Sequence, residues 1–298
     1  MMRSAFLLLA AAAAGRGAQP TTFKVETELV RIDVLVERNG RPVAGLAASD
    51  FMVEDNGVPQ RIDLLPASDA VTASTVLDVS GSMTPEKLNA AAAGVRALMA
   101  ALRGPDRHAL YAFAGDVRRI VLPEPRETLS ADTIAAALRE ASGPRTSLCD
   151  ALFAAILQDD AAPGPRMLAV LTDGGDNTSW LSARAVVDAA LRHETVIYAV
   201  AVGQDSSASR LGVPPLLADD GRRLLHVLAD RTGGRLIDAA WSSDLATIFA
   251  SIISEYRQRY IITFVPTGVA KRDGWHRLTV KLRNRPGRIR ARSGYWSR

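Results

Sequence analysis

The sequence predicts an α/β protein: a doubly wound, mainly parallel sheet inserted into a small β-sandwich-like domain formed by the N- and C-terminal segments. Three observations predict it. Residues 70–256 alternate short β-rich runs with helical patterns, as repeated strand–helix units require. Residues 23–66 hold alternating strands and hairpin turns, yet form too small a unit to stand comfortably alone. Residues 257–298 return to strict alternation and so supply the partner that the first β segment lacks.

The chain starts with a short basic stretch, an unbroken apolar run over 5–14, and small residues over 15–19. This predicts a secretory signal over 1–18, because ten apolar residues are too few to span a bilayer. No later segment is long and apolar enough to cross a membrane, so a periplasmic or extracellular protein is expected. Over residues 29–37, Val30, Ile32, Val34 and Val36 point one way, with Arg31, Asp33 and Glu37 opposite, as in a half-buried strand. Asn39-Gly40 and Asn56-Gly57 are hairpin turn signals, and they bracket a strand over 50–54 that is followed by another over 58–65.

In the middle, strands are expected at 71–77, 108–114, 117–122, 167–172, 195–202 and 235–238. Helices are expected at 84–102, 130–141, 147–158, 182–192, 222–231 and 243–256, with Thr84 as an N-cap and Pro85 in the first turn. The run Thr72-Ala73-Ser74-Thr75 is polar for a central strand and predicts weaker burial there. Residues 203–221 form a long loop that could act as a flap. The closing strands fall at 260–265, 276–283 and 289–295.

The lone cysteine, Cys149, excludes an intrachain disulfide and sits beside Leu148 and Leu152 as a small buried hydrophobe would. From residue 257 onward twelve lysines and arginines face a single acid, Asp273, and they alternate with apolar residues. That spacing describes the solvated face of a sheet, and no nucleic acid is expected as a partner. The four histidines are scattered without zinc-ligand spacing. No Gly-x-Ser-x-Gly elbow, P-loop or Gly-x-Gly-x-x-Gly fingerprint is present, which argues against acyl transfer and ordinary nucleotide binding.

What carries chemistry is Asp78-Val79-Ser80-Gly81-Ser82, a carboxylate and two hydroxyls on one tight turn between a strand and a helix. Two later segments emerge at the same carboxyl edge of a doubly wound sheet. One is the loop carrying Thr146, and the other is Thr172-Asp173-Gly174-Gly175-Asp176 at the end of a buried strand. Oxygens from Asp78, Ser80, Ser82, Thr146 and Asp173 could then converge on a hard dication.

This pattern resembles the metal-ion-dependent adhesion site of the von Willebrand factor A family, over roughly residues 70–256 and in the family's order. The resemblance implies Mg²⁺, with Mn²⁺ or Ca²⁺ possible. It implies hydroxyls of Ser80, Ser82 and Thr146 touching the ion, with one or both of Asp78 and Asp173 acting through water. Gly174 matches the small residue after the last aspartate, and Asp150 a supporting residue inside the following helix. Arg145 departs from the pattern, standing where a small residue is usual. Together with its β flanks, including Gly45-Leu46, Asp50-Phe51 and the closing Arg292-Ser293-Gly294-Tyr295-Trp296, the chain further resembles a bacterial secreted group with von Willebrand-related domains, abundant among acidobacteria.

The expected function is therefore an exported, metal-dependent protein-binding module of the adhesion type, monomeric and without catalysis. A protein ligand would offer an Asp or Glu to the open coordination position. On that reading, removing Asp78 or Asp173 abolishes metal binding while leaving the fold largely intact. The alternatives are a metal-assisted hydrolase, or an envelope component that binds anionic polymer through its basic C-terminal sheet.

Overall fold

The computed structural model describes residues 29–66, 70–125, 129–157, 164–202, 219–241, 243–269 and 274–297. The expected signal, its cleavage position and residues 203–218 of the expected flap lie outside the described residues. In the first β segment are β1 (Val30–Arg38), β2 (Arg41–Pro42), β3 (Phe51–Asp55), β4 (Val58–Gln60) and β5 (Asp63–Leu65). The middle runs β6 (Thr72–Asp78), α1 (Pro85–Ala101), β7 (Arg107–Phe113), β8 (Val117–Pro125), α2 (Ala131–Glu140), α3 (Leu148–Leu157), β9 (Arg166–Thr172), α4 (Ala183–Arg192), β10 (Thr195–Val202), α5 (Asp219–Thr232), β11 (Arg235–Ala239) and α6 (Leu245–Tyr256). The chain closes with β12 (Tyr260–Phe264), β13 (Gly274–Leu282), β14 (Arg288–Arg290) and β15 (Gly294–Ser297).

The central sheet is ordered β11-β10-β9-β6-β7-β8, parallel throughout except for β8, which folds back antiparallel on β7. Helices α1, α2 and α6 pack on one face and α3, α4 and α5 on the other, each over its own apolar cluster. The strand order reverses between β6 and β9, so the crevice beyond their carboxyl ends is the switch point where such sheets bind ligands. Local chemistry sets the helix starts. Thr84 accepts from Lys87 N at 3.5 Å with Pro85 at N1, and Ser182 caps α4 in the same way. At Gly94 a β-carbon would stand 3.0 Å from the Phe249 ring, which is why α1 and α6 can lie close.

The two chain ends do form one sandwich-like unit. A β14-β1-β12-β5 sheet, with β2 also on β1, and a β15-β13-β3-β4 sheet share a core of Val30, Ile32, Val34, Phe51, Val53, Ile262, Phe264 and Tyr295. Two expected single strands each prove to be two. Residues 58–65 divide into β4 and β5, and 289–295 into β14 and β15, and in each case the chain crosses from one sheet to the other.

Two expectations about burial are corrected. Ser74 and Thr75 are buried like the rest of β6, because Thr75 Oγ1 meets His108 Nε2 of β7 at 3.0 Å and its polarity is satisfied inside. Of the C-terminal cations, Arg277, Lys281, Arg283, Arg285 and Arg288 are exposed as a solvated face requires, while Arg257, Arg259, Arg290 and Arg292 are drawn inward. Arg290 Nε pairs with Glu37 at 2.8 Å, and Arg292 Nη1 with Glu194 at 2.9 Å. Arg257 pairs with the buried Asp106. Arg259 is buried between the rings of Tyr198 and Tyr256 and donates to Tyr198 Oη, Gly233 O and Asp33 O. Arg259, Arg290 and Arg292 clasp the sandwich to the α/β layers. Leu35 and Glu37, on the face of β1 expected to be wet, are buried there instead. Gly233 (φ +78°) is part of the same seam, since a β-carbon there would lie 2.6 Å from Ala291 C.

Asp106 also accepts from the Val71 and Arg103 amides, so it joins the start of β6 to the end of α6 through Arg257. Asp106→Ala is expected to cost about 3–5 kcal/mol, because it leaves a guanidinium and two amides buried without their acceptor. Chemical denaturation followed by circular dichroism measures it, and a loss under about 1 kcal/mol would contradict this role.

Candidate functional site at the carboxyl edge of the sheet

The five residues singled out from the sequence do come together. Asp78 ends β6 and is buried. It accepts from Ser80 N at 2.9 Å and from Thr172 Oγ1 at 2.7 Å. Burial pushes its carboxyl above the ordinary range, partly opposed by the Ser80 and Thr172 hydrogen bonds and reinforced slightly by the charge of Asp173. Ser82 Oγ donates to Asp173 Oδ2 at 2.6 Å and lies 3.4 Å from Ser80 Oγ. Asp173 Oδ1 accepts from Gly175 N at 3.3 Å. A β-carbon on Gly175 would lie 3.5 Å from Asp173 Oδ1 and 3.9 Å from Thr146 Oγ1, so those two side chains face the same small space.

The sequence reading missed Thr172. Its hydroxyl donates to Asp78 and accepts from Gly174 N at 3.0 Å, tying β6 to β9 at the switch point. The sequence signal was its place between a buried strand and Asp173. Asn177 was missed too. Its Oδ1 accepts from Thr146 N at 3.0 Å while Thr146 O accepts from Asn177 N at 2.9 Å. Asp150 was expected to support the hydroxyls. It instead accepts from Trp180 N at 3.0 Å and Leu181 N at 2.9 Å. Asp176 turns its own loop through Ser179 N and also accepts from Cys149 N at 2.9 Å, at the start of α3. Cys149 is buried as expected, and desolvation with nearby Asp176 pushes its thiol up to about 12. The stem of Arg145 lies against Gly115.

The expected metal centre is not supported. Among the described residues no group of three or more His, Cys, Asp or Glu side chains is placed to hold a metal ion. The cluster has two carboxylates, and their oxygens are engaged by Ser80 N, Thr172 Oγ1, Ser82 Oγ and Gly175 N. As arranged, these groups satisfy one another and do not fit a dication. The expectation of Mg²⁺, Mn²⁺ or Ca²⁺ is therefore corrected, and so is that of a partner's Asp or Glu completing the ion's shell. Asp78 also has a structural task, accepting from the Ser80 amide and the Thr172 hydroxyl. Asp78→Ala is expected to lower stability by about 1–3 kcal/mol, since it orphans the Ser80 amide and the Thr172 hydroxyl. Thermal unfolding checks this, and an unchanged midpoint would refute it.

Residues 74–175 match the family profile of the von Willebrand factor type A domain. The chain carries a von Willebrand factor A-fold domain. Among solved structures, proximal thread matrix protein 1 from the mussel byssus is 15% identical, over 67% of this chain and 49% of that one, with a TM-score of 0.50. A form of the same mussel protein with a zinc-occupied MIDAS motif gives 15% identity over the same shares and a TM-score of 0.51. A von Willebrand factor type A protein from Catenulispora acidiphila is 15% identical over 88% of this chain and 76% of that one, with a TM-score of 0.50. The chain spans about half the length of the mussel protein, and at these identities the likeness concerns the fold. No curated protein matches the chain. Among the described residues, no helix is long and apolar enough to cross a membrane.

Proposed function

We propose that the chain is a non-catalytic protein-binding module whose contact surface is the carboxyl edge of the central sheet. The observation that carries this reading is Trp180, a large aromatic side chain left 96% exposed on a loop held in place from both sides. Its amide is bonded to Asp150, Leu181 packs against the core beneath α4, and Ser182 caps α4. An exposed tryptophan on a preorganised loop is the kind of residue that anchors protein interfaces, because it contributes large contact area at little entropic cost. Seven residues before it on the same loop stands Asp173, with Ser82 exposed beside it. Asp78, Ser80, Ser82, Thr146 and Asp173 form the polar floor of this surface and hold its three loops in register.

In this reading the binding unit is residues 70–256, carried by the sandwich of 23–66 and 257–298. The apolar run at 5–14 supports export, and the β flanks support a place in the bacterial secreted group with von Willebrand-related domains. The test is capture of envelope protein on the immobilised chain, comparing the native form with Trp180→Ala. Trp180 has no packing role, so the variant keeps its stability while retention of the captured partner falls about tenfold or more. Retention is expected to survive a chelator. Equal retention by Trp180→Ala would overturn the surface, and loss of retention in chelator would overturn its metal-free character.

A further inference from the structure

Where the sandwich meets the amino-terminal end of the central sheet, a small cavity is lined by Arg31 and Asp33 of β1, by Glu194 and Thr195 at the start of β10, by Thr232 at the end of α5, and by Arg292. Strand register accounts for the meeting. Leu35 of β1 pairs with Arg290 of β14, so Arg292, two residues on, comes level with Asp33. Arg31 stands next on the same face of β1. The free space is about 10 Å³, room for one water-sized occupant.

The side chain of Arg292 is 8% exposed and gives Nη1 to Glu194 at 2.9 Å. Arg31 likewise gives Nη2 to Asp33 at 2.8 Å. Among the described residues no partner meets Arg31 Nε, Arg292 Nε or Arg292 Nη2, although all three atoms are buried. All three are donors, and no buried side-chain acceptor of the lining is left unmatched. A water would bring protons of its own, for which those side chains offer no free buried acceptor. An anion accepts from all three and brings none. Charge points the same way. Asp33 is reached by a second guanidinium, since Arg259 Nη1 donates to its carbonyl at 3.3 Å. The Glu194 side chain is 48% exposed, so solvent screens its charge and leaves Arg292 under-compensated.

We propose that this cavity binds a single monatomic anion of the halide class, held by Arg31 and Arg292 and bridging the sandwich to the central sheet. An oxyanion such as sulfate is too large for the space. The carboxylates of Asp33 and Glu194 stand close by, so the affinity is weak, in the millimolar range.

Thermal unfolding of the full chain in sodium chloride, against sodium gluconate of equal ionic strength, tests it. Gluconate cannot enter. The midpoint is expected to rise with chloride and then level off, as binding to one native site requires. Bromide is expected to act like chloride. Arg292→Met lowers the starting stability by freeing Glu194, and its midpoint is expected to be the same in both salts. Arg31→Gln, at a less buried position, is expected to weaken the apparent chloride affinity at least tenfold. In crystals grown with bromide, an anomalous peak is expected within hydrogen-bond reach of Arg31 Nε and Arg292 Nη2. Equal midpoints of the native chain in chloride and gluconate, or an undiminished response in either variant, would overturn the site. So would a crystal without bromide there, by showing that water alone fills the space.

Discussion

Arg259→Met is expected to cost about 3–5 kcal/mol, a large part of the roughly 5–15 kcal/mol that holds a typical domain together. Arg259 is 6% exposed, and its guanidinium reaches three elements that are far apart in sequence: the β1 backbone at Asp33 O (3.3 Å), the turn before β11 at Gly233 O (2.6 Å), and the β10 side chain Tyr198 Oη (3.0 Å). Methionine fills comparable space but donates nothing, so each acceptor is left dry in the seam between sandwich and sheet. Two aromatic faces, Tyr198 at 5.6 Å and Tyr256 at 5.7 Å, lose their cation as well. Lysine restores charge without the planar fork, so Arg259→Lys is expected to recover less than half of the loss. Denaturant midpoints for the three proteins decide it. A loss below about 1 kcal/mol in Arg259→Met, or full recovery by lysine, would show that the seam is held by packing alone.

This seam also marks where sequence reasoning runs out. The central sheet was legible because its strands are apolar runs between capped helices, with Thr84-Pro85 announcing α1 and Ser182 announcing α4. Alternation in β1 showed which side chains share a face. It could not show that the second face is covered too, since the cover comes from Arg235, Glu255 and Arg259, some two hundred residues away. For the same reason Arg257, Arg259, Arg290 and Arg292 could not be told apart from the exposed Arg277, Lys281 and Arg283. Pattern gives the face, and tertiary pairing gives what meets it. At the candidate site, topology alone gathered Asp78, Ser80, Ser82, Thr146 and Asp173, because βα loops of a doubly wound sheet leave at one edge. The atoms those oxygens choose depend on angstrom-scale placement. Ser82 could have faced outward to an ion, and instead its hydroxyl closes on Asp173 at 2.6 Å.

Acidification is expected to weaken the fold through His108. This side chain is buried in β7, its Nε2 meets Thr75 Oγ1 at 3.0 Å, and Nδ1 has no hydrogen-bond partner among the described residues. Burial alone holds its pKa down to about 4, against 6.5 for the free side chain. Above pH 6.5 the ring is neutral whether folded or unfolded, and the native state keeps its full stability. Between 6.5 and 4 the unfolded chain takes up a proton that the folded chain refuses. Stability therefore falls as pH falls across that window, by roughly 3 kcal/mol in total from this residue, and levels off below it. His108→Leu is expected to remove this part of the slope while lowering stability at neutral pH, because Thr75 loses its partner. Because Thr75 lies three residues before Asp78 on the same strand, loosening β6 against β7 also frees the edge that carries the proposed contact surface. Urea midpoints of both proteins from pH 7.5 to 4 measure the difference. Parallel profiles across that range would mean that His108 takes its proton without opening the sheet.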